Sequence, residues 1–194
     1  MTIKILGVGS SMREGSYSTS ALNIVLDMTK NLGYETQLLD LQKTQIPMFY
    51  SQENETNELK QVKEGVKWAD AFILATPDYH GSMSGVMKNF LDYFWSDFAG
   101  KLFGYICASH EKGLTVMDQM RTAIRQCYGW SMPYGISING EEDFENEKIK
   151  NPQLQTRLEM LSRDLGIYGE IIRKQFLQDL QNNVSDTFAS KYSN

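Results

Sequence analysis

The chain has 194 residues, 41% of them hydrophobic and 22% charged, and a formal net charge of −5. That length suits one domain with a sizeable core, and the acidic balance argues against a nucleic-acid partner, which would favour a basic face. No apolar run approaches the roughly 20 residues that span a bilayer, and the opening MTIKILGV lacks a secretory leader pattern, so a cytoplasmic protein with no membrane contact is expected.

In chain order, residues 3–8, 35–41, 71–75, 102–107 and 133–138 read as strands. Two of these are nearly continuous apolar runs, the signature of a parallel sheet covered on both faces. Helical spacing occupies the intervals. Leu22, Val25, Leu26 and Met28 mark 19–32, and Met83, Met87, Phe90, Leu91 and Phe94 mark 83–94. Leu114, Met117, Met120 and Ile124 mark 114–128, and a stripe from Leu154 to Ile172 marks the last long helix. That stripe suits packing of the helix on its own sheet better than a subunit interface. Five strands alternating with helices give a doubly wound α/β domain. It is expected over 1–182, with 183–194 a loosely held polar tail. The polar stretch 51–65 reads as a loop entering a surface helix, and the acidic stretch 139–152 as a solvated connection. Cys107 and Cys127 are the only cysteines. They are too few for a disulfide scaffold and carry no metal-ligand spacing, so no metal is expected.

In an open parallel sheet, ligands sit beyond the carboxyl ends of the strands. The loop after the first strand, GSSMREGSYS, lies on that edge and leads into a helix N-terminus, which favours an anion. Gly9 opens it, Ser10, Ser11, Ser16 and Ser18 each offer a hydroxyl, and Arg13 can pair with phosphate oxygens. The loop reads as a phosphate cradle. It lacks the third glycine of a dinucleotide fingerprint and the lysine of a P-loop. Many hydroxyls suit a terminal monophosphate better than a bridging pyrophosphate.

A second loop follows the third strand: Thr76-Pro77-Asp78-Tyr79-His80-Gly81-Ser82, then Gly85-Val86-Met87-Lys88-Asn89 and Asp92. Together with Gly9-Ser10 through Arg13 and Ser16, this resembles the NADPH-dependent FMN reductase family of the flavodoxin-like fold, over roughly residues 3–140. The resemblance implies a five-stranded sheet of order 2-1-3-4-5 with helices on both faces. It implies FMN, its phosphate in the first loop and its ring along the second, with Pro77, Asp78, Tyr79, His80, Gly81 and Ser82 as contacts. Ser109, His110 and Gly113 fall where the family has a third, glycine-rich flavin loop. NADPH or NADH would deliver hydride to the flavin. A small acceptor (quinone, flavin, azo compound or metal oxyanion) would then take the same place in a ping-pong cycle. A homodimer or homotetramer is implied as well. Asp78 stands where the family has glutamate, and His80 where it has asparagine. The third loop carries His110-Glu111-Lys112 where more glycine is usual. His80 and His110 are therefore candidate proton donors, weighed against a purely solvated role. An FMN-binding electron carrier or sensor with little NAD(P)H turnover is the alternative, although Arg13 counts against it.

Overall fold

Phe72 and Leu74 point to one side of the third strand and Ala71, Ile73 and Ala75 to the other, all fully buried. This alternation, with both faces apolar, requires helices above and below the sheet. The computed structural model describes residues 2–50, 55–146 and 148–193. Its chain order is β1 (Lys4–Gly9), α1 (Tyr17–Asn31), β2 (Glu35–Asp40), α2 (Asn57–Trp68), β3 (Ala71–Pro77), α3 (Gly85–Asp92), β4 (Leu102–Ala108) and α4 (Leu114–Gln126). There follow β5 (Trp130–Ser131), β6 (Ile136–Ile138), α5 (Gly140–Asp143), the hairpin β7 (Phe144–Glu145) and β8 (Lys148–Ile149), α6 (Pro152–Gln181) and α7 (Phe188–Tyr192). The sheet runs β2-β1-β3-β4-β5 with every pairing parallel, the flavodoxin-like order.

Helices α1 and α6 cover one face and α2, α3 and α4 the other. Gly7 and Gly104 explain how closely the first pair approaches. A Cβ on Gly7 would lie 2.7 Å from a methyl of Leu26, and one on Gly104 3.0 Å from a methyl of Leu161. Leu154, Leu158, Leu161 and Leu165 of the α6 stripe all face this chain's own sheet, while Tyr168 and Ile171 lie exposed.

Three expectations change. The fifth strand is not one run over 133–138: β5 pairs with the start of β4 and β6 with its end. Pro133 between them has no N–H for the ladder, and the Arg157 guanidinium satisfies the Gly135 carbonyl at 2.6 Å. The acidic stretch after Ile138 is tied down at Asp143, while Glu141 and Glu142 stay exposed. The buried Asp143 carboxylate accepts from the Asn139 N–H at 2.7 Å and the Asn151 amide at 2.6 Å. The stretch after Leu180 is also held. Thr187 and Ser190 form a reciprocal cap for α7, Ala189 is buried, and Tyr192 stacks on Tyr128 with centroids 4.1 Å apart. In the polar stretch 51–65, residues 51–54 lie outside the described residues, and α2 begins at Asn57 behind a Thr56 cap. Cys107 and Cys127 are both free and buried. Among the described residues no helix is long and apolar enough to cross a membrane.

Candidate active site

Strands β1, β3, β4 and β6 end side by side, and the four loops that leave them enclose a cavity of about 780 Å3. That volume lies within the range of small-molecule and cofactor sites.

The first loop contributes Ser11, Arg13, Ser16 and Tyr17. Ser11 Oγ accepts from the Arg13 N–H at 3.2 Å, and the Gln42 amide holds the Met12 carbonyl at 3.0 Å. Ser16 sits at the N-cap of α1, yet its hydroxyl caps no backbone group and instead lies 2.9 Å from the hydroxyl of Ser18. By contrast, Thr56, Ser84 and Asn151 each cap their own helices. The first turn of α1 therefore presents unspent N–H groups beside Arg13, the chemistry that holds a phosphate. Ser10 and Ser18 lie outside the cavity lining, contrary to the reading of every loop serine as a ligand. Ser10 donates to the Ala75 carbonyl at 3.1 Å and accepts from Ser84 at 2.9 Å, and both residues are fully buried. Gly9 is likewise inside the sheet, where its carbonyl accepts from Leu41 N–H at 2.9 Å.

The second loop is a tight turn. Tyr79 and Ser82 exchange backbone hydrogen bonds of 2.9 and 3.2 Å, with His80 at φ 57° and Gly81 at φ 78° between them. Two successive positive φ values define a type I′ turn, where asparagine and glycine are favoured and histidine is tolerated. Asp78 braces it. One carboxylate oxygen accepts from Gly81 N–H at 2.7 Å, the other from the Ser109 hydroxyl at 2.8 Å. The acidic residue thus ties the second loop to the third. Gln119, on α4, holds the turn from behind, accepting from the Ser82 hydroxyl at 3.0 Å and donating to the Gly81 carbonyl at 3.1 Å. Pro77, Tyr79, His80 and Gly81 face the cavity, whereas Ser82 faces Gln119.

From the third loop Ser109, His110 and Glu111 line the cavity. Gly113 does not; it is buried at the start of α4 at φ 55°, where a Cβ would strike Cys107 Sγ at 2.4 Å. Burial, with the Asp78 carboxylate adding to it, pushes the Cys107 thiol up to about 12. Cys107 is therefore a packing atom beneath the loop, not a thiolate. The fourth loop supplies Asn139, Gly140, Glu141 and Glu142, none of them expected from the sequence. Asp143 holds it, and Gly140 rests on the Tyr17 ring, where a Cβ would come within 3.1 Å. The topology could have located this loop, because it leaves the same sheet edge as the other three. No group of three or more metal-ligating side chains occurs among the described residues.

The model of the NADPH-dependent FMN reductase family matches residues 3–143. The chain belongs to that family. It is 27% identical over 145 residues to an NADPH azoreductase of Bacillus sp. (strain OY1-2), covering 71% of this chain and 82% of that protein. Over 94 residues it is 33% identical to an NAD(P)H-dependent FMN reductase of Pseudomonas aeruginosa, covering 47% of this chain and 49% of that one. Among solved structures, the flavoenzyme NAD(P)H:(acceptor) oxidoreductase FerB of Paracoccus denitrificans shares the fold. Its TM-score is 0.75 at 14% identity, over 87% of this chain and 98% of that one. As an NADPH-dependent FMN reductase family member, this chain is an oxidoreductase that uses FMN with NAD(P)H as co-substrate. The residues fit the cofactor: an anion-ready helix end at Ser16 adjoins a flat, turn-built wall at Pro77–Gly81 and a third loop at Ser109–Glu111.

Proposed function

We propose that the four-loop cavity is the FMN site, and that NAD(P)H and a small electron acceptor take turns on one open side of it, in ping-pong order. The observation that carries this reading is the uncapped N-terminus of α1 beside Arg13, continuous in one cavity with the Pro77–Gly81 turn. Held there by Arg13, Ser11, Ser16 and the Pro77–Gly81 turn, FMN would supply the two-electron redox chemistry that links NAD(P)H to the acceptor.

The chain's own residues bind and orient. Arg13, Ser11, Ser16 and the first N–H groups of α1 hold the phosphate, through charge-assisted hydrogen bonds. Pro77, Tyr79 and Gly81 form the wall of the ring site; the type I′ turn keeps backbone there in place of bulk, and Tyr79 is exposed enough to pack on a planar ligand. Asp78 and Gln119 act through that turn and hold it still, so they are positioning residues. His80 and His110 stand at the rim, within the cavity lining, where either imidazole can deliver the proton that an acceptor needs on reduction. From the family we carry over a homo-oligomeric state, which light scattering would measure.

The test is anaerobic. Protein saturated with FMN is mixed with NADPH or NADH while the flavin absorbance is followed, and a quinone or azo compound is then added. Rapid bleaching and its reversal, with parallel lines in double-reciprocal plots, are expected. Bound flavin that neither nucleotide bleaches would overturn the reading.

A further inference from the structure

NAD(P)H brings a pyrophosphate to this site, and NADPH adds a further anionic group, the 2′-phosphate of its adenosine. Among the described residues that line the cavity, Arg13 is the one permanent cation, against the carboxylates of Asp78, Glu111, Glu141 and Glu142. A bound FMN phosphate would occupy Arg13. The four loops, residues 10–16, 78–84, 109–113 and 139–143, hold one further permanent cation, Lys112. It is exposed, lies just outside the lining that Ser109, His110 and Glu111 share, and enters no ion pair among the described residues. Its backbone is left-handed, at φ 66°. Glycine adopts that conformation freely, whereas lysine is strained there, and such strain gathers at positions that hold ligands. The residues on both sides are fixed. The Ser109 hydroxyl donates to Asp78 at 2.8 Å and accepts from the Glu111 N–H at 3.1 Å, and Gly113 is packed against Cys107. The loop therefore fixes the root of the Lys112 side chain beside the cavity and leaves its ammonium to solvent.

We infer that Lys112 receives the 2′-phosphate of NADPH and so sets the coenzyme preference of this site. This rests on the FMN reductase reading and adds to it a residue that tells NADPH from NADH. The nicotinamide end has to enter the cavity, and the adenosine end stays outside its lining, where Lys112 is. Glu141 and Glu142, exposed on the fourth loop, repel phosphates on that side, so the favourable course for them runs across the third loop. Glu111 lies in the lining and Lys112 outside it, so the cation marks the outer side of that loop. A phosphate monoester carries roughly two negative charges at neutral pH and offers three acceptor oxygens. An ammonium on a flexible stem reaches them through charge-assisted hydrogen bonds. NADH has a hydroxyl at the same carbon and forms no such pair. A pair of this kind acts on capture of the coenzyme and weakens with salt.

The experiment mixes FMN-saturated protein with NADPH or NADH without oxygen and follows bleaching of the flavin. Low coenzyme concentrations are used, so that the second-order rate constant is read. The two coenzymes differ only in the 2′-phosphate, so the ratio of their constants isolates that group. The NADPH-to-NADH ratio is expected to reach about tenfold or more at an ionic strength of about 0.01 M. It should shrink towards unity at about 1 M, where charges are screened over about 3 Å instead of about 30 Å. Lys112→Gln should lower the low-salt ratio by about tenfold. Lys112→Arg should keep most of it, because a guanidinium also pairs with phosphate, and a merely structural lysine would show no such difference between the two variants. A wild-type ratio near unity at low salt, or a ratio that Lys112→Gln leaves unchanged because both coenzymes lose equally or not at all, would overturn the inference. Bleaching by both coenzymes at one rate removes only the inference, whereas bound flavin that neither coenzyme bleaches removes the reductase reading and the inference together.

Discussion

The two ends of the one sheet are built on opposite plans. At the carboxyl end the loops are short, hydroxyl-rich and kept in left-handed backbone at His80, Gly81 and Gly113, and they leave an open cavity. At the amino end the chain closes on itself. Asp70 accepts from the Lys4 N–H and from the Arg173 guanidinium, both at 3.1 Å, and Lys101, 5% exposed, donates to the Val66 carbonyl at 2.8 Å. Aromatic rings from Tyr128, Phe176, Phe188 and Tyr192 then seal the adjoining corner. The polar groups at the amino end are satisfied within the protein, whereas those around Arg13 and Ser16 are left for something else. Unspent hydrogen-bonding capacity, more than polarity itself, distinguishes a site from a seam.

The largest expected effect breaks the sealed end alone. Asp70→Ala strands a half-buried guanidinium and a backbone N–H, so the protein should lose about 3 kcal/mol of stability in urea unfolding. Its affinity for FMN should be unchanged. Arg13→Ala should do the reverse, weakening FMN by about 1.5–3 kcal/mol, roughly 10- to 150-fold, in a fluorescence-quenching titration without shifting the urea midpoint.

A pH experiment sharpens the contrast. Burial, reinforced by the Arg173 charge, lowers Lys101 from its ordinary 10.5 to about 8. Below that value the folded protein must hold a buried ammonium. Between about 8 and 10.5 the unfolded chain binds the extra proton, so this group makes stability rise with pH through that window. Cys107 and Tyr105, both raised by burial, oppose the rise at the alkaline end. Comparison with Lys101→Met cancels them. The stability of the wild type relative to this variant should increase by about 2 kcal/mol between about pH 7 and about pH 9.5. A flat difference would remove the buried charge from the account. The smallest effect is at the turn: His80→Asn should raise stability by about a few tenths of a kcal/mol, seen as a small upward shift of the thermal midpoint, because asparagine suits the left-handed conformation better.

Much of this was legible in the residues. Strand periodicity placed four of the five strands, and the hydroxyls with Arg13 singled out the first loop, of which Ser11, Arg13 and Ser16 line the cavity. Side-chain direction was not legible. Ser10 and Ser11 are adjacent in an extended chain, and only their burial against Ala75 and the cavity separates a structural hydroxyl from an available one. The fourth loop escaped because its run of acidic residues looks like a solvated connection. What makes it part of the site is Asp143, whose hydrogen bonds to Asn139 and Asn151 close a contact that no spacing rule announces. Gln119 was hidden for a similar reason: it stands on a helix, some forty positions from the turn it braces, and works entirely through tertiary contact.

The most direct measurement is a crystal structure of the protein saturated with FMN. The phosphate is expected at the first turn of α1, within hydrogen-bonding distance of Arg13, Ser11 and Ser16, with the ring along Pro77–Gly81. Flavin bound elsewhere, or with its phosphate away from Arg13, would contradict this placement.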